Sequence, residues 1–478
     1  MIRKIIFTLS FLSIFSATNI SYLEKCRYQS NFFCKLSQAI NTPGNILIRG
    51  FNDSIGIIKH INESKKFTLY GSHSKAQEPL ETKKRFKNLL PGFNFNYEPG
   101  ERQNAGYLLL SRFAAEKDGD PSIELWDMNN QKMLKSYDIN FESIKKGLNS
   151  SNLNNMYFHP LVLEDGSILL NAMGGWSGPI VKIDNCGNYL SHNSEYPFHH
   201  SLEIDNDGNI YSPINNSTKN LNKIKRRHAP SFSDHGYAIL DKNLKIKKTF
   251  SMLDLYSRNN FLSDVYGGDG YSNNPFHLND VKPFKNKNGN TVVLLSLLTQ
   301  SSVIAHEVEE DKIIWKIDRS TIHQHDVDIL SQKDGVIDIS IFDNRTLNYL
   351  KQESLGNQIV ILRSLPTYFN EDFLLIADEK SHSEYNLERI SFDNLEKDLI
   401  PKTRTGGRSD FLKENNSLMV EETDYGRLFE IDLDNNNILW QYINKEKKDR
   451  APFMMNWSRR FFNLPDKSVN ELNQCKKK

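Results

Sequence analysis

The fold of this 478-residue chain is decided by a stretch that reads IHQHDVDIL over Ile322–Leu330, KDG over Lys333–Gly335 and VIDISIFDN over Val336–Asn344. Apolar and polar residues alternate in both long segments, and a glycine-containing turn separates them, which is the pattern of a β-hairpin. Imidazole, amide and carboxylate side chains stand together where the first strand begins. The stretch therefore predicts a strand pair that carries polar chemistry at one end.

The same plan of a histidine, a strand and a turn glycine occurs at four places, with the glycine 7 to 12 residues after the histidine: His159, His200, His277 and His325. Units of about 40–60 residues with three or four short strands recur between residues 93 and 465, a period typical of a β-propeller. A four-stranded sheet cannot cover both of its apolar faces alone, and stacking sheets around an axis buries them. We predict an all-β chain with a six-bladed β-propeller.

In a propeller, the four histidines would lie close together. The innermost strand of each blade lines the axis, so residues at equivalent positions in different blades converge there. A single histidine at a strand start is more often a surface or turn residue, but four in register indicate a shared pocket. Five further histidines of this region are interpreted as neighbours of the pocket (His199, His306 and His323) or as loop residues (His228 and His235).

Composition limits the classes of partner. The chain has 60 basic and 59 acidic side chains, so no strong field points to nucleic acid. Aromatic residues make up 11% and there are only 16 prolines, which favours a packed core over disorder. The four cysteines form no CxxC pair, so a cysteine-based zinc site is not expected.

The N-terminus has the pattern of a secretory signal over residues 1–21, because Arg3-Lys4 precedes an apolar run from Ile5 to Phe15. The cleavage site is poor, so an uncleaved membrane anchor is the alternative. Export to the periplasm, free or anchored and facing it, is the expectation. Three further segments are predicted: a lead-in with short strands and a helix over 22–92, a charged insertion over about 366–405, and a charged tail over 466–478.

Several motifs are distributed over residues 106–465. They read HH then DGN (199–200, 207–209), FHLND (276–280), QHD then FDN (324–326, 342–344), GRLFEI then ILWQYIN (426–431, 438–444) and WSRRF (457–461). Taken together, they resemble the signatures of the arylsulfotransferase family, the PAPS-independent aryl-sulfate sulfotransferases that form six-bladed β-propellers.

The resemblance implies a ping-pong enzyme that transfers a sulfuryl group from a phenolic sulfate ester to an acceptor phenol through a sulfohistidine. It implies His325 as the nucleophile, and His277 and His200 as ligands of the sulfuryl oxygens or handlers of the leaving-group proton. Imidazole suits the nucleophilic role, because its ordinary pKa is about 6.5. The substrate-binding residues expected in addition are Asn279, which would orient a histidine, His159 and Arg459. No cofactor and no metal is expected.

One residue departs from the family pattern. Leu298 stands where the family carries an arginine, a donor expected to stabilise charge on the sulfuryl oxygens. An arginine from another blade could substitute for it: Arg345, Arg427, Arg459 or Arg460. Two alternatives therefore stay open. One is a catalytically impaired propeller that acts as an envelope binding module, and the other is a histidine-held zinc or copper site of a lyase or an oxidase.

Overall fold

The structure is a computed structural model that describes residues 85–114, 116, 120–149, 156–173, 177–216, 232–266, 274–348, 353–369, 375–376 and 385–463. All of them belong to a compact unit that spans Tyr70–Lys478. The predicted signal or anchor, most of the predicted lead-in and the predicted tail lie outside these residues. Among the residues described, no helix is both long and apolar enough to cross a membrane.

The described part of the chain is built mainly of antiparallel strands, which we number β1–β28. Sheet A contains β2 (Tyr107–Ala114), β3 (Asp120–Asp127), β4 (Lys132–Tyr137) and β28 (Arg459–Phe461). Sheet B contains β5 (Met156–Val162), β6 (Ile168–Met173), β7 (Gly178–Ile183), β8 (Tyr189–Phe198), β9 (Glu203–Ile204), β10 (Ile210–Asn215), β11 (His235–Leu240) and β12 (Ile246–Ser251). Sheet C contains β13 (Leu278–Lys285), β14 (Thr291–Leu297), β15 (Ser302–Glu307), β16 (Lys312–Ile317) and β22 (Leu375–Ile376).

The remaining strands complete three more sheets. Sheet D contains β17 (His325–Lys333), β18 (Val336–Asp343), β21 (Gln358–Pro366) and β23 (Glu388–Ser391). Sheet E contains β1 (Gly92–Phe95), β24 (Arg408–Leu412), β25 (Ser417–Glu422), β26 (Arg427–Asp432) and β27 (Ile438–Ile443). A two-stranded sheet pairs β19 (Thr346–Asn348) with β20 (Glu353–Ser354), and the helices are α1 (Phe141–Leu148), α2 (Met252–Arg258) and α3 (Leu262–Tyr266), with 3-10 turns at Lys413–Asn415 and Thr423–Tyr425.

The all-β class and the propeller arrangement are confirmed, but the predicted six separate blades are not. Among the described residues, four sheets have the four or five strands of a single blade, namely A, C, D and E. The strands expected to form two further blades belong instead to the eight-stranded sheet B. The physical reason is the length of β8, whose last residue Phe198 pairs both with Gly178 in β7 and with Ile214 in β10.

The hairpin predicted from Ile322–Asn344 is present as β17 and β18 of sheet D. Lys333 pairs with Val336, so the connecting loop has two residues, Asp334 and Gly335. Both have positive φ, 54° and 83°, as a type I′ turn requires. The glycine accepts this conformation without steric cost. Because His325 pairs with Phe342, the register brings the first strand's histidine close to Asn344 at the end of the second.

The hydrophobic core lies between facing sheets. Separate clusters of buried apolar side chains join sheet A to B, B to C, C to D, D to E and E back to A. A sixth cluster lies within sheet B, between its β5–β8 and β9–β12 portions. Burial of the apolar faces therefore proceeds around a circle, which is the arrangement that makes distant parts of the chain neighbours.

Hydrogen bonds between inner segments follow the same circle. Three aspartates each accept a backbone N–H from the next sheet: Asp280 from Val327 at 2.8 Å, Asp326 from Ser409 at 2.8 Å and Asp410 from Arg460 at 3.3 Å. The circle closes through His159 N–H, which donates to the carbonyl of Asn456 at 3.0 Å, and through further bonds from Leu202 N–H to His159 Nδ1 and from Val281 N–H to Ser201 Oγ.

Candidate active site

Three of the predicted site histidines meet in one place. The ring centroids of His200 and His277 are 5.5 Å apart, and those of His200 and His325 are 6.1 Å apart. Two more histidines join them: His199 lies 5.1 Å from His200, and His235 lies 4.7 Å from His199 and 5.7 Å from His277. We call these five residues the histidine cluster.

The backbone bends sharply where the cluster side chains enter the site. His200 and His277 have φ angles of 55° and 43°, and Trp457, which lies 6.0 Å from His200 and 6.3 Å from His325, has a φ of 58°. Non-glycine residues in this region cost of order 1–3 kcal/mol and concentrate at functional sites. These strained positions coincide with the inner ends of the strands that carry the cluster.

His325 is fully buried and its tautomer is fixed. Its Nδ1 lies 2.8 Å from Asn344 Oδ1, and Asn344 Nδ2 donates to the carbonyls of Thr403 and Gly406, both at 3.0 Å. Because the amide nitrogen is committed to those carbonyls, Oδ1 must face the imidazole and accept Nδ1–H. Nε2 therefore carries the lone pair.

A short loop faces that lone pair. Gly406 N–H donates to His325 Nε2 at 3.2 Å, and Thr405 Oγ1 lies 3.5 Å from the same atom. These donors lie next to the one ring nitrogen able to attack an electrophile. They are also within reach of any group that becomes attached to it.

His277 has the opposite tautomer. Its backbone N–H donates to Asn274 Oδ1 at 2.9 Å, which orients the amide so that Nδ2 faces His277 Nδ1 at 3.1 Å. Nδ1 must then accept a hydrogen bond, and the ring proton sits on Nε2. His325 and His277 thus present an acceptor and a donor, respectively, in the same cluster.

His199 and His200 contact each other directly, with Nδ1 to Nδ1 at 2.9 Å. At this distance one nitrogen donates and the other accepts. His199 is buried and His200 is partly exposed, so only His200 faces solvent.

The cluster is uncharged at neutral pH. Burial, followed by the repulsion of neighbouring histidines, lowers the pKa of His325 to about 3, that of His277 to about 4 and that of His199 to about 3. The same causes lower the pKa of His200 and His235 well below the ordinary value. Neutral imidazoles can act as nucleophiles and as hydrogen-bond donors, but they supply no fixed positive charge.

The residues beside His325 hold it in place. Gln324 Nε2 donates to the carbonyls of Ser302 and Leu297, and Asp326 joins the next sheet through Ser409. Asn279, which we expected to orient a histidine, donates through Nδ2 to the backbone carbonyl of Gln324 at 2.9 Å. It therefore positions the segment that carries His325 and does not bond to an imidazole through that amide nitrogen.

His159 and Arg459 lie in a different environment. Arg459 forms an ion pair with Glu203 at 3.3 Å and donates to the carbonyls of Leu202 and Pro160. His159 contacts Arg408 through Nε2 and lies 3.7 Å from Glu203. Both belong to a set of closely packed ionisable side chains that we call the ion network: His159, Glu203, Lys282, Asp326, Asp328, Arg408, Asp410 and Arg459.

The ion network and the histidine cluster are adjacent but distinct. The ring of Trp457 lies 5.4 Å from that of His159 and 6.0 Å from that of His200. Trp457 thus contacts both regions. The roles expected for His159 and Arg459 stay predictions, and the structure places these two residues among ion pairs outside the cluster.

The arginines that could replace the family residue are mostly engaged elsewhere. Arg427 pairs with Glu422 and Arg460 with Glu430. Arg345 lies between Asn344, which holds His325, and Thr346, whose carbonyl lies 2.7 Å from His323 Nδ1. Leu298 is next to the site, because its N–H donates to the carbonyl of His277 at 3.2 Å.

Among the described residues, no group of three or more His, Cys, Asp or Glu side chains is arranged to hold a metal ion. Sequence reasoning overlooked several participants in the site: His235, which it assigned to a loop, Asn344, which it quoted only as part of a motif, and Thr405 and Gly406. The position of Asn344 two residues beyond the partner of His325 was the one available signal.

The comparisons agree with the motifs. The family model described as arylsulfotransferase (ASST) matches residues 159–445, which is more than half of the chain. No curated protein matches the chain.

Three solved structures are similar at low identity. A protein of unknown function from Bacteroides caccae is 12% identical, with a TM-score of 0.43, and 77% of this chain and 98% of that chain are covered. Hydrazine synthase from Kuenenia stuttgartiensis is 11% identical, with a TM-score of 0.39 and coverage of 77% and 80%. A catalytically inactive virginiamycin B lyase from Staphylococcus aureus with quinupristin is 10% identical, with a TM-score of 0.33 and coverage of 62% and 73%. At these scores the similarities carry no functional inference.

Proposed function

The chain belongs to the arylsulfotransferase family, and from this premise we propose that it transfers a sulfuryl group from an aryl sulfate to a phenol through a sulfohistidine at His325. The observation that carries the proposal is the tautomer of His325. Asn344 holds the proton on Nδ1, and the lone pair of Nε2 lies among hydrogen-bond donors.

In the first half-reaction, His325 Nε2 attacks the sulfur of the donor. An N–S bond forms, the S–O bond to the aryl group breaks, and the phenolate leaves with the electron pair. Negative charge on the sulfuryl oxygens is stabilised by donors that are already oriented. The candidates are the His277 Nε2–H, the Gly406 N–H and the Thr405 hydroxyl.

In the second half-reaction, the oxygen of the acceptor phenol attacks the same sulfur. The S–N bond breaks, the electron pair returns to Nε2, and the phenol loses its proton. Covalent catalysis divides one difficult transfer into two easier ones. Gly406 N–H, which donates to Nε2 in the free protein, would regain this bond when the imidazole is released.

The test uses 4-nitrophenyl sulfate as donor and phenol as acceptor. We expect release of the nitrophenolate chromophore by the wild type and no release by His325→Ala. His192→Ala is the control, because the His192 ring bonds to Tyr189 on β8, away from the cluster, and its loss should leave turnover unchanged. With donor alone, mass spectrometry should find one sulfo group on the peptide that contains His325. A sulfo group on any other residue would contradict the assignment.

A catalytically impaired binding module is the second candidate, and Leu298 is the observation that favours it. Without the family arginine, a propeller could keep the pocket and lose the reaction. Lack of turnover across varied donors and acceptors, with retained binding of an aryl sulfate, would support this candidate over the enzyme.

We also propose that the protein acts outside the cytoplasm, in the periplasm. The support is the secretory pattern of residues 1–21 together with Cys186, which is disulfide-bonded. Disulfides persist in oxidising compartments and are rare elsewhere. Cell fractionation with detection of the protein tests this. Recovery of the protein in the cytoplasm would contradict the proposal.

A further inference from the structure

An anionic donor poses an electrostatic problem for this site. An aryl sulfate carries a negative charge, the cluster is neutral, and Leu298 occupies the position from which the family supplies a permanent cation. A buried anion without a partner is costly, so either binding is weak or the site acquires a positive charge on binding. The hydrogen-bond geometry of the histidine cluster identifies the source of that charge.

We propose that His199 and His200 form a proton-sharing pair that takes up one proton when the aryl sulfate binds and so becomes the cation of the site. The inference rests on the proposed function, because it assumes an anionic aryl sulfate as the ligand. His200 would contact the ligand, and His199 would act as a positioning residue through His200.

The other three members of the cluster are unsuited to take the proton. The unprotonated nitrogen of His325 faces Gly406 N–H, and that of His277 faces the amide nitrogen of Asn274. Protonation of either ring would place two N–H groups against each other and break a hydrogen bond. His235 Nδ1 has no hydrogen-bond partner among the described residues, so a proton there would gain no bond.

The pair differs because its two Nδ1 atoms face each other at 2.9 Å. In the neutral state a single proton lies between them. An added proton can reside on an outer nitrogen while the inner hydrogen bond is kept, and this bond then becomes charge-assisted. Charge-assisted hydrogen bonds are roughly twice as strong as neutral ones. Protonation therefore strengthens a hydrogen bond within the pair, whereas an isolated buried imidazole has no such bond to strengthen.

The proton also balances the reaction. It comes from solvent when the donor binds, and His200 Nε2–H delivers it to the departing phenolate as the S–O bond breaks. The pair is then neutral. The incoming phenol returns a proton to it as the phenol oxygen attacks the sulfur, and the proton is released to solvent when the product sulfate ester dissociates.

The titratable groups that face the pair are the other imidazoles of the cluster. Those around His200 are His199, His235, His277 and His325. His323 lies one step away, close to His277 and His325, and donates through Nδ1 to the carbonyl of Thr346. Its other ring nitrogen makes it the competing proton acceptor, and the experiment must separate the two.

The experiment measures proton uptake on ligand binding by calorimetry in buffers of different ionisation enthalpy at pH 7. The ligand is 4-nitrophenylmethanesulfonate, which has a methylene group in place of the ester oxygen and cannot transfer its sulfo group. For the wild type we expect uptake of about one proton per ligand and an affinity that weakens about tenfold per pH unit above 7. The affinity falls with rising pH because the complex binds a proton that the free protein does not.

Three variants identify the histidines that take up the proton. In His199→Asn, an amide replaces the ring and can still donate to His200 Nδ1 but cannot be protonated, so we expect uptake to be lost and affinity to become independent of pH. His323→Asn and the remote His192→Asn should keep the wild-type uptake.

Two outcomes would overturn the proposed proton sharing by His199 and His200 without touching the proposed sulfuryl transfer. One is ligand binding without proton uptake in the wild type. The other is uptake that disappears in His323→Asn and persists in His199→Asn. Absence of binding, together with absence of transfer from 4-nitrophenyl sulfate, would overturn both proposals.

Discussion

Two buried polar regions lie side by side within the ring of sheets, and they solve the problem of burial in opposite ways. The ion network pairs charges: Arg408 lies 2.5 Å from Asp410, and Lys282 lies 2.5 Å from Asp328. Burial favours the neutral form at particular members of the network, where it raises the pKa of Asp326 and lowers that of His159. The histidine cluster gives up its charges, because burial lowers the pKa of its imidazoles. Buried atoms without a hydrogen-bond partner among the described residues occur in both regions, such as Arg408 Nε in the first and His235 Nδ1 in the second, so the regions differ in charge and not in saturation.

This difference indicates which region is structural and which is reactive. Burial alone would lower the pKa of Arg408, but its carboxylate neighbours raise it, so the guanidinium is held as a cation. The histidine cluster instead presents neutral rings, among them His325, whose Nε2 carries a lone pair that can attack an electrophile.

The largest expected effect is on stability. Arg408→Met should lower the free energy of unfolding by about 3–5 kcal/mol, because it leaves the carboxylates of the ion network without their central cation. Urea denaturation measures the change. Arg363→Met is the control, since Arg363 forms ion pairs while 42% exposed and should lose no more than about 1 kcal/mol. Equal losses in the two variants would break the distinction between a paired network and ordinary surface charge.

The second effect is on activity. Asn344→Leu removes the acceptor that fixes the tautomer of His325, so the rate of the donor half-reaction should fall about a hundredfold, or ~2.7 kcal/mol. Single-turnover release of nitrophenolate measures it.

The matched control for that variant is Asn357→Leu. Asn357 bonds to the same loop through Thr403 and donates to the backbone carbonyl of Asn344, but it does not bond to the imidazole. Both substitutions should destabilise the fold to a similar degree, and only Asn344→Leu should slow the chemistry. If the two variants lost activity equally, the role of Asn344 would reduce to holding the loop.

The sequence was informative where the signal was local or periodic. The hairpin over Ile322–Asn344 follows from alternation and an Asp-Gly turn, and the meeting of His200, His277 and His325 follows from the period of the strands. The family assignment followed from motifs, all but the last of which (WSRRF, residues 457–461) lie within the residues that the family model matches.

The remainder depended on contacts between distant residues. Arg459 looked free to bind substrate, but its carboxylate partner Glu203 is 256 positions away. His235 looked like a loop residue, but it begins β11 and packs against His199, which follows β8, and His277, which precedes β13. The blade count failed because nothing in the sequence marks where β8 passes from one group of strands to the next.

The smallest expected effect is that the rate of chemical modification of the cluster does not change with pH. This result would test whether the cluster is uncharged in the free protein. Diethyl pyrocarbonate reacts with neutral imidazole. A histidine with the ordinary pKa of about 6.5 is mostly protonated at pH 5.5, so its reaction there is about tenfold slower than at pH 7.5.

His325, whose pKa burial lowers to about 3, stays neutral at both pH values, and so does His277, with a pKa of about 4. The rate of loss of transferase activity, corrected for reagent hydrolysis, should therefore be nearly equal at pH 5.5 and 7.5, while N-acetylhistidine treated in parallel serves as the reference for an ordinary imidazole. An inactivation rate that falls with an apparent pKa near 6.5 would mean that the cluster carries charge before substrate arrives, and the contrast between neutral rings and paired ions would no longer hold.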